Sequence, residues 1–357
     1  MNPKKLKDLR RSIDAIDSGI IELINKRGVL STKIGSIKKD HGESIYSPDR
    51  ESHVYSSVVS RNPGPVQAES LKAVYREIMS ACLSLEKTLK VGYLGPECTF
   101  THQAAMKKFG SSVDYVPCDS ISDVFGEVAK GNTDYGVVPI ENSIEGAVNH
   151  TLDMFMDSPL LICSEIMFPI RHSIQSTKGK LSVIKKIYSK PEVFGQCRRW
   201  IEKNLPSARL LEASSTARAA EIAADSPDSA CIASSLAAER YGLKIVAASI
   251  EDSARNVTRF LVIGDRMSKI SGRDKTAIMF SVKDRPGVLH DMLGAFKKQG
   301  INLTKIESRP SKQRLWKYYF FVDMDGHYES PHIKNALKEL EKKCHFVKLL
   351  GSFPKAS

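Results

Sequence analysis

Three cations interrupt the apolar stripe of a long predicted helix near the start of the chain. Arg27 and Lys38 are eleven residues apart, which at about 100° per residue leaves them roughly 20° apart around the helix. Arg10 lies about 100° from Arg27, so it reaches a site on a partner helix more easily than one shared with those two. Guanidinium and ammonium groups grip paired carboxylates, so this spacing suits a dianion site. A solvated basic face on a coiled coil is the alternative that spacing leaves open.

Polar clusters in the middle of the chain stand at predicted turns between strands and helices. Residues 92–101, 139–146 and 214–216 place hydroxyls and amides at helix N-termini, where backbone N–H groups and the helix dipole favour anions. Ordinary N-capping by Ser, Thr and Asn is the alternative. A fourth cluster, Asn256–Phe260, opens a strand and contains Arg259, which if buried needs a carboxylate partner.

The elements that must position these groups differ along the chain, and residues 1–90 are predicted to be all-helical. Apolar residues spaced by three and four predict a helix over residues 6–39. At 1.5 Å per residue it is about 50 Å long, too long for a small domain to cover alone. We therefore expect it to pack against other helices or a second chain.

Two more helices are expected before residue 90. Ser47 is a predicted N-cap, with Pro48 at the first helical position. A third helix is predicted over residues 66–89, with Cys82 and Glu86 four residues apart on one face.

Residues 91–267 alternate short strands with helices, which predicts an α/β domain of two lobes facing a cleft. The predicted strands are Val91–Leu94, Val113–Val116, Tyr135–Ile140, Leu160–Phe168, Ile184–Ser189, Ala208–Leu211, Ala230–Ala233, Lys244–Ala248 and Phe260–Ile263.

A polar linker over residues 267–275 leads to a C-terminal domain over residues 276–357. Its predicted order is strand, helix, strand, strand, helix, strand, the α+β ferredoxin-like arrangement. These elements are Thr276–Val282, Gly287–Gln299, Ile301–Glu307, Trp316–Asp323, Pro331–Lys343 and Phe346–Leu350. The fold class is therefore multidomain: all-α, then two-lobed α/β, then α+β.

Composition excludes several function classes. The net charge is +12, distributed as +5 over residues 1–90, zero over 91–275 and +7 over 276–357. Without a long basic run, this argues against nucleic acid as a partner. No apolar run approaches the roughly 18 residues of a membrane span. Seven cysteines without a C-x-x-C pair predict free thiols in a cytoplasmic protein and no metal site.

The helical segment resembles the all-helical chorismate mutases. The matching motifs are L-R-x-x-I-D-x-I-D (9–17), N-K-R (25–27), K-x-x-x-I-K (33–38), Y-S-P-D-R-E (46–51) and E-I-M-S-A-C-L-S-L-E (77–86). The resemblance implies two intertwined chains that rearrange chorismate to prephenate, with Arg10 contributed to the partner's site.

The resemblance also implies roles for the other residues of the helical site. Arg27 and Lys38 would contact the carboxylate and ether oxygen, Glu51 would contact the hydroxyl, and Arg50 would support them. Ser47 and Cys82 are further substrate-binding candidates. Glu86 stands where one branch of the family has Gln, so it must carry a proton to donate a hydrogen bond to the ether oxygen. We therefore expect mutase activity to be favoured in acid.

Residues 91–265 resemble prephenate dehydratases through G-Y-L-G-P-x-x-T-F-T-H-x-A-A, P-I-E-N-S-I-E-G and N-V-T-R-F. The resemblance implies loss of CO2 and water from prephenate, with Thr258 near the leaving hydroxyl. It implies that Arg259 binds a carboxylate or holds the shape of the site, and that Phe260 packs under the ring. Cys98 stands where this family usually has glycine. Further cleft-lining candidates are Thr99, Asn142, Ser143, Glu145, Ser215 and Thr216.

Two C-terminal motifs, Asp284–His290 and Glu307–Pro310, resemble those of the ACT regulatory domain. The alternative is a plain helix start and a strand end. The resemblance implies phenylalanine binding between subunits, with N–H groups at the helix start receiving its carboxylate. The candidate residues are Gly287, Val288, Leu289, His290, Glu307, Ser308, Arg309 and Pro310.

Together the three resemblances predict a bifunctional mutase–dehydratase that is inhibited by phenylalanine. The product of the first site is the substrate of the second site, and the end product of the pathway binds the third site. Such an enzyme would need no cofactor and would form a homodimer or higher homo-oligomer. One alternative is a dehydratase whose helical segment only dimerises. Another is a non-enzymatic amino-acid sensor with a periplasmic-binding-like cleft.

Overall fold

The computed structural model of this chain describes residues 3–282, 285–310 and 318–356. Asp284, the first residue of a predicted regulatory motif, and Trp316, the first residue of a predicted strand, lie outside the described residues. The chain forms two compact units. The first comprises residues up to Ser47, 53–89 and 109–114, and the second comprises residues 48–52, 90–108 and the chain from Tyr115 onward.

The N-terminal helices follow the predicted order. They are α1 (Pro3–Asp40), α2 (Pro48–Ser60) and α3 (Ala68–Ser84). The prediction that Glu86 lies on the third helix is wrong, because α3 ends at Ser84. The carbonyl of Leu83 accepts from the N–H groups of both Glu86 and Lys87, at 2.9 and 3.1 Å, and the shorter-range bond tightens and ends the last turn. No helix in the described part of the chain is both long and apolar enough to cross a bilayer.

The first α/β lobe is built on a mixed sheet in the order β2-β1-β3-β11-β5, with β4 paired to β3. Its strands are β1 (Lys90–Leu94), β2 (Asp114–Cys118), β3 (Tyr135–Asn142), β4 (Gly146–Ala147), β5 (Leu161–Pro169) and β11 (Val257–Gly264). Its helices are α4 (Phe100–Phe109), α5 (Ile121–Ala129) and α6 (Asn149–Asp157). Because β11 begins at Val257, three residues before the predicted strand, Thr258 and Arg259 lie inside the sheet.

The second lobe is built on a sheet in the order β10-β6-β9-β7-β8. Its strands are β6 (Ser173–Ser176), β7 (Lys186–Ser189), β8 (Arg209–Glu212), β9 (Ser229–Ala233) and β10 (Lys244–Ala248). Its helices are a short 3₁₀ turn (Leu181–Val183), α7 (Pro191–Gln196), α8 (Arg198–Asn204), α9 (Thr216–Ala224) and α10 (Ser235–Tyr241). Strand β6 escaped prediction because its sequence, SIQS, is mostly polar, although all four residues are buried.

The C-terminal sheet has the antiparallel order β13-β14-β12-β15. Its elements are β12 (Asp274–Ser281), α11 (Val288–Lys298), β13 (Leu303–Pro310), β14 (Tyr318–Asp325), α12 (Pro331–Glu341) and β15 (Phe346–Pro354). This order confirms the predicted ferredoxin-like arrangement.

The C-terminal sheet and the first lobe share one apolar core. Met279, Phe321 and Phe353 belong to the same buried cluster as the β3 and β11 side chains of that lobe. A side chain at Gly351 would collide with the backbone of Ile162 on β5, so glycine permits the close approach of β15. The C-terminal strands therefore pack directly behind the strands that position Thr258.

Candidate functional site

The apolar stripe of α1 is largely uncovered within one chain. Ile16 is 62% exposed and Leu23 is 66% exposed, although such side chains normally lie in a core. The stripe comprises Leu6, Leu9, Ile13, Ile16, Ile20, Leu23, Leu30, Ile34 and Ile37, each more than 40% exposed. A contiguous apolar surface of this kind marks an interaction site.

The three cations of α1 differ in their hydrogen bonds and in their exposure to solvent. The Nη1 atom of Arg27 is buried and has no hydrogen-bond partner among the described residues. The Nζ atom of Lys38 donates to the carbonyl of Ile45 at 2.7 Å and to the hydroxyl of Ser47 at 3.3 Å. Ser47 has the extended backbone of an N-cap, but its side chain does not cap α2. Arg10 is exposed, which leaves it available to another chain.

Glu86 is held against α1, although it lies beyond the end of α3. Its Oε1 atom accepts a hydrogen bond from the Ser31 hydroxyl at 2.6 Å, and its Oε2 atom is buried without a partner among the described residues. A side chain at Gly35 would collide with this carboxyl group. Cys82, two residues before the end of α3, is buried. A cavity of about 420 Å³ lies beside Glu86, and its other lining residues include Thr32 and Lys39.

Arg50 and Glu51 open α2 and belong to the second compact unit. Glu51 is 9% exposed, and Lys108 on α4 pairs with its Oε2 atom at 2.6 Å. Arg50 is exposed. A buried carboxylate needs a cation or hydrogen-bond donors, and Lys108 supplies the cation here.

Thr258 and Asn142 face each other on the paired strands β11 and β3. The Nδ2 atom of Asn142 donates to the Thr258 Oγ1 atom at 2.8 Å, and its Oδ1 atom accepts from the N–H groups of Ile144 and Glu145. Because the Thr258 oxygen accepts from Asn142, the hydroxyl proton is free to donate elsewhere. Thr258 is 8% exposed, so this donor lies in a largely water-excluded position.

A chain of polar side chains extends from Asn142 to the second lobe. Asn142 also donates to Asn256 at 2.8 Å, and Asn256 donates to the Gln196 Oε1 atom at 3.0 Å. Gln196 in turn donates to Glu145 at 3.1 Å and accepts from His172 at 2.9 Å. Burial lowers the pKa of His172, so its ring is neutral at neutral pH.

Gln196 and His172 escaped prediction because neither stands in a recognisable motif. Asn256 lies inside N-V-T-R-F, and its position directly before the strand was the signal that could have identified it.

The side chains of several predicted cleft residues form hydrogen bonds with nearby backbone atoms. The Ser143 hydroxyl joins the end of β3 to the start of β11, donating to Arg255 O at 2.8 Å and accepting from Val257 N at 3.0 Å. The Thr99 hydroxyl bonds the backbone at the start of α4, and Ser215 caps α9 by accepting from Arg218 N at 2.9 Å. For Thr99 and Ser215 the N-capping alternative describes the bonds observed.

Three further predicted positions are buried. Thr216 is 7% exposed and Phe260 is 2% exposed. Cys98 has a positive φ of 66°, a conformation that glycine adopts without strain and other residues rarely visit. Its backbone N–H donates to His102 Nδ1 at 3.2 Å, which helps to hold that loop conformation.

Arg259 forms ion pairs with two carboxylates of the protein itself. Its Nε atom lies 2.8 Å from Glu165 on β5, and its Nη1 atom lies 2.5 Å from Asp323 on β14. Burial lowers the pKa of Arg259, but the two carboxylates outweigh burial and leave the pKa raised. Of the two predicted roles for Arg259, this geometry favours holding the shape of the site over binding a substrate carboxylate.

The two candidate regulatory motifs differ in their surroundings. Gly287 has a φ of 78° at the start of α11, and His290 is exposed. The expectation that this helix start leaves its N–H groups unpaired is wrong for Val288, because its N–H donates to the carbonyl of Arg285 at 3.2 Å. That tight turn is closed by the left-handed backbone of Gly287 between the two residues.

The second motif lies on the edge strand β13. Arg309 reaches Asp153 on α6 of the first lobe at 3.2 Å, so this motif contacts the first lobe directly. Glu307 is half-buried, whereas Ser308 and Pro310 are exposed.

Comparisons with known proteins match the segments in order. Family models match chorismate mutase type II at residues 9–87, prephenate dehydratase at residues 91–268 and the ACT domain at residues 276–342. The bifunctional chorismate mutase/prephenate dehydratase of Aquifex aeolicus is 50% identical over 357 residues, covering 99% of both chains. The protein of the same name from Pseudomonas aeruginosa is 42% identical over 358 residues, covering 99% of this chain and 98% of the relative.

A solved structure resembles the second unit. The prephenate dehydratase of Arthrobacter aurescens in complex with L-Phe has a TM-score of 0.70 and 35% identity, covering 75% of this chain and 90% of its own. Similarity to relatives thus extends over all three segments.

Proposed function

Because this chain belongs to the bifunctional chorismate mutase/prephenate dehydratase family, we propose which of its residues perform each reaction and how its subunits combine. The protein rearranges chorismate to prephenate. It then decarboxylates and dehydrates prephenate to phenylpyruvate, and phenylalanine inhibits it by feedback.

The mutase reaction is assigned to cations and polar groups of the helical segment. A pericyclic rearrangement needs no nucleophile; the site must hold the compact conformer and stabilise negative charge on the breaking ether oxygen. Arg27 receives a substrate carboxylate, which is supported by its buried and unpartnered Nη1 atom. Lys38 contacts a carboxylate and the ether oxygen once it leaves Ile45 and Ser47. Glu86 donates from a protonated Oε2 atom to the ether oxygen.

The remaining mutase roles follow the family resemblance. Glu51 accepts a hydrogen bond from the substrate hydroxyl, and Arg50 supports it. The buried Cys82 fills the position of a hydroxyl in some relatives. The helical segment is thus proposed to be an active mutase rather than a dimerisation module.

A second copy of the chain is proposed to cover the stripe of α1 and to complete the mutase site. The uncovered apolar side chains of α1 support this assembly, since burying them removes a large apolar area from water. In the resulting homodimer, Arg10 of the partner subunit reaches the site that contains Arg27 and Lys38.

Mixing two inactive variants tests the exchange of Arg10. Chains carrying Arg10→Ala and chains carrying Arg27→Ala should each lack mutase activity. Co-refolded in equal amounts, they should recover about a quarter of wild-type activity, because half of the dimers are mixed and each mixed dimer has one intact site. Mutase turnover after refolding is the measurement.

A matched mixture of Arg27→Ala with Lys38→Ala provides the control, because both residues come from the same chain and no intact site can form. No recovery in the first mixture would place Arg10 in the site of its own subunit. Recovery in the control would contradict the assignment of Arg27 and Lys38 from one chain to one site.

The dehydratase reaction is assigned to the pair Asn142–Thr258. As the ring of prephenate becomes aromatic, the bond to its carboxylate breaks to release CO2, and the electron pair of that bond expels the ring hydroxyl as hydroxide, which takes a proton from solvent to become water. Thr258 donates its hydroxyl proton in a hydrogen bond to that leaving oxygen, and Asn142 fixes the direction of the bond. The 2.8 Å contact between them is the observation that supports this assignment most directly. Gln196, Asn256 and Glu145 keep Asn142 in place.

Phenylalanine is proposed to bind between the two C-terminal motifs of adjacent subunits. Leu289 and Val288 supply an apolar slot for the ring, while the start of α11 favours the carboxylate. Phenylalanine then favours one quaternary arrangement, and its differential affinity inhibits the dehydratase. The contact from Arg309 to Asp153 supports a direct connection between this site and the catalytic lobe.

A further inference from the structure

A cluster of six charged side chains lies behind the strands that position Thr258 and Asn142. The first lobe supplies three of its members, and the C-terminal strands supply the other three. The cluster consists of Glu141, Glu165, Arg259, Lys275, Lys305 and Asp323. With three acids and three bases, its formal charges cancel.

Strand pairing places this cluster directly opposite the catalytic pair. Thr258 pairs with Asn142, and Arg259 pairs with Glu141 one position further along β11. Successive side chains of a strand point to opposite faces. Thr258 and Asn142 therefore share one face, whereas Arg259 and Glu141 turn to the C-terminal sheet, where they meet Asp323 and Lys305.

Arg259 depends on Asp323 because its other carboxylates are committed or distant. Glu165 also accepts from Lys275 Nζ at 2.9 Å and from the backbone N–H of Ala356 at 3.0 Å. Glu141 lies 4.0 Å from the guanidinium and 2.9 Å from Lys305. Asp323 is thus the carboxylate, 2.5 Å from Nη1, that balances Arg259 from the C-terminal side.

Loss of the Asp323 charge would leave the cluster with excess positive charge in a buried setting. The side chains of Arg259 and Glu165 are 8% and 3% exposed, so water cannot replace the lost partner. The guanidinium would then shift towards Glu141 and pull on the β11 backbone beside Thr258. Small displacements of a reacting group lower the rate of a chemical step steeply.

We propose that Asp323, on the C-terminal sheet, is a positioning residue of the dehydratase reaction that acts through Arg259 on Thr258. The inference rests on the proposed role of Thr258. It gives the C-terminal domain a part in holding the catalytic strand in addition to binding an effector.

Asp323→Asn in the full chain tests this role. We expect the dehydratase kcat to fall about tenfold or more while KM for prephenate stays within about twofold, because no substrate contact is removed. Mutase turnover should stay at the wild-type level. Glu339→Gln is the matched control: Glu339 lies on α12 of the same domain, and its partners Lys298 and Lys343, at 2.9 and 3.0 Å, are outside the cluster. The control should keep the wild-type kcat.

A second substitution separates positioning from a loss of structure. Lys305→Met in the Asp323→Asn background restores a neutral cluster and frees Glu141 for Arg259, so it should recover part of the lost kcat. A further fall in kcat when Lys305→Met is added to Asp323→Asn would overturn the proposal, and so would equal kcat values for Asp323→Asn and Glu339→Gln.

The remaining outcomes are also decisive. If Asp323→Asn does not fold, Asp323→Glu keeps the charge but extends the carboxylate by one methylene. A several-fold loss of kcat at unchanged KM then supports the proposal, and a wild-type kcat overturns it. A wild-type chain without dehydratase turnover would overturn the proposed dehydratase function as well. Normal wild-type turnover with an unaffected Asp323→Asn would overturn this inference alone.

Discussion

Thr258→Ala is expected to lower the dehydratase kcat by about 10²-fold or more, the scale of a lost donor at a reacting oxygen. The Thr258 hydroxyl accepts from Asn142 and so directs its own proton away from that residue. Alanine removes this donor and leaves the Asn142 amide without its partner. Initial rates of phenylpyruvate formation from supplied prephenate measure the effect on kcat and KM separately.

Thr258→Ser serves as the matched control, since it keeps the hydroxyl and removes only the methyl group. It should retain most of the activity that alanine loses. Mutase turnover of both variants should equal that of the wild type, and the activity kept by Thr258→Ser shows that a change at this position is compatible with a folded dehydratase domain. A near-normal kcat for Thr258→Ala would assign delivery of the hydrogen bond to another group.

Arg27→Ala is expected to abolish mutase turnover and to leave the dehydratase active. Loss of one partner from a desolvated ion pair costs about 3–5 kcal/mol, which corresponds to roughly 10²–10⁴-fold in rate. The buried Nη1 atom of Arg27 has no partner among the described residues, and we propose a substrate carboxylate as its partner. Chorismate consumption measures the first activity, and turnover of supplied prephenate measures the second.

The neighbouring Lys26→Ala provides the control for charge loss on α1. Lys26 is exposed and pairs with Glu22 at 2.5 Å, so its removal should cost little. Equal loss of mutase activity in the two variants would contradict a specific role for Arg27. Loss of both activities in a folded Arg27→Ala chain would contradict the separation of the two sites.

Local patterns were sufficient to predict the elements that position the site. The three- and four-residue spacing predicted α1 to within three residues at its start, because helix periodicity is a local signal. Its uncovered apolar stripe also agrees with the expectation that a second chain packs on it. The order of strands and helices after residue 276 was sufficient to predict the C-terminal sheet.

Local sequence patterns could not predict contacts between residues that are far apart in the chain. Arg259 was predicted to need a carboxylate, but Asp323 is 64 residues away and comes from another sheet. Gln196 and His172 join the site through side-chain hydrogen bonds from the second lobe. The position of Glu86 depends on how α3 ends and on the space left by Gly35, neither of which has a periodic signal.

Turnover of chorismate by the full chain tests most directly whether both active sites operate in this protein. Chorismate, prephenate and phenylpyruvate should be followed together over time with the purified protein. We expect that chorismate disappears, that phenylpyruvate accumulates, and that phenylalanine lowers the rate of the second step. Turnover of prephenate without consumption of chorismate would reduce the helical segment to a dimerisation module. Binding of these ligands without turnover of either would contradict the assignment of both active sites.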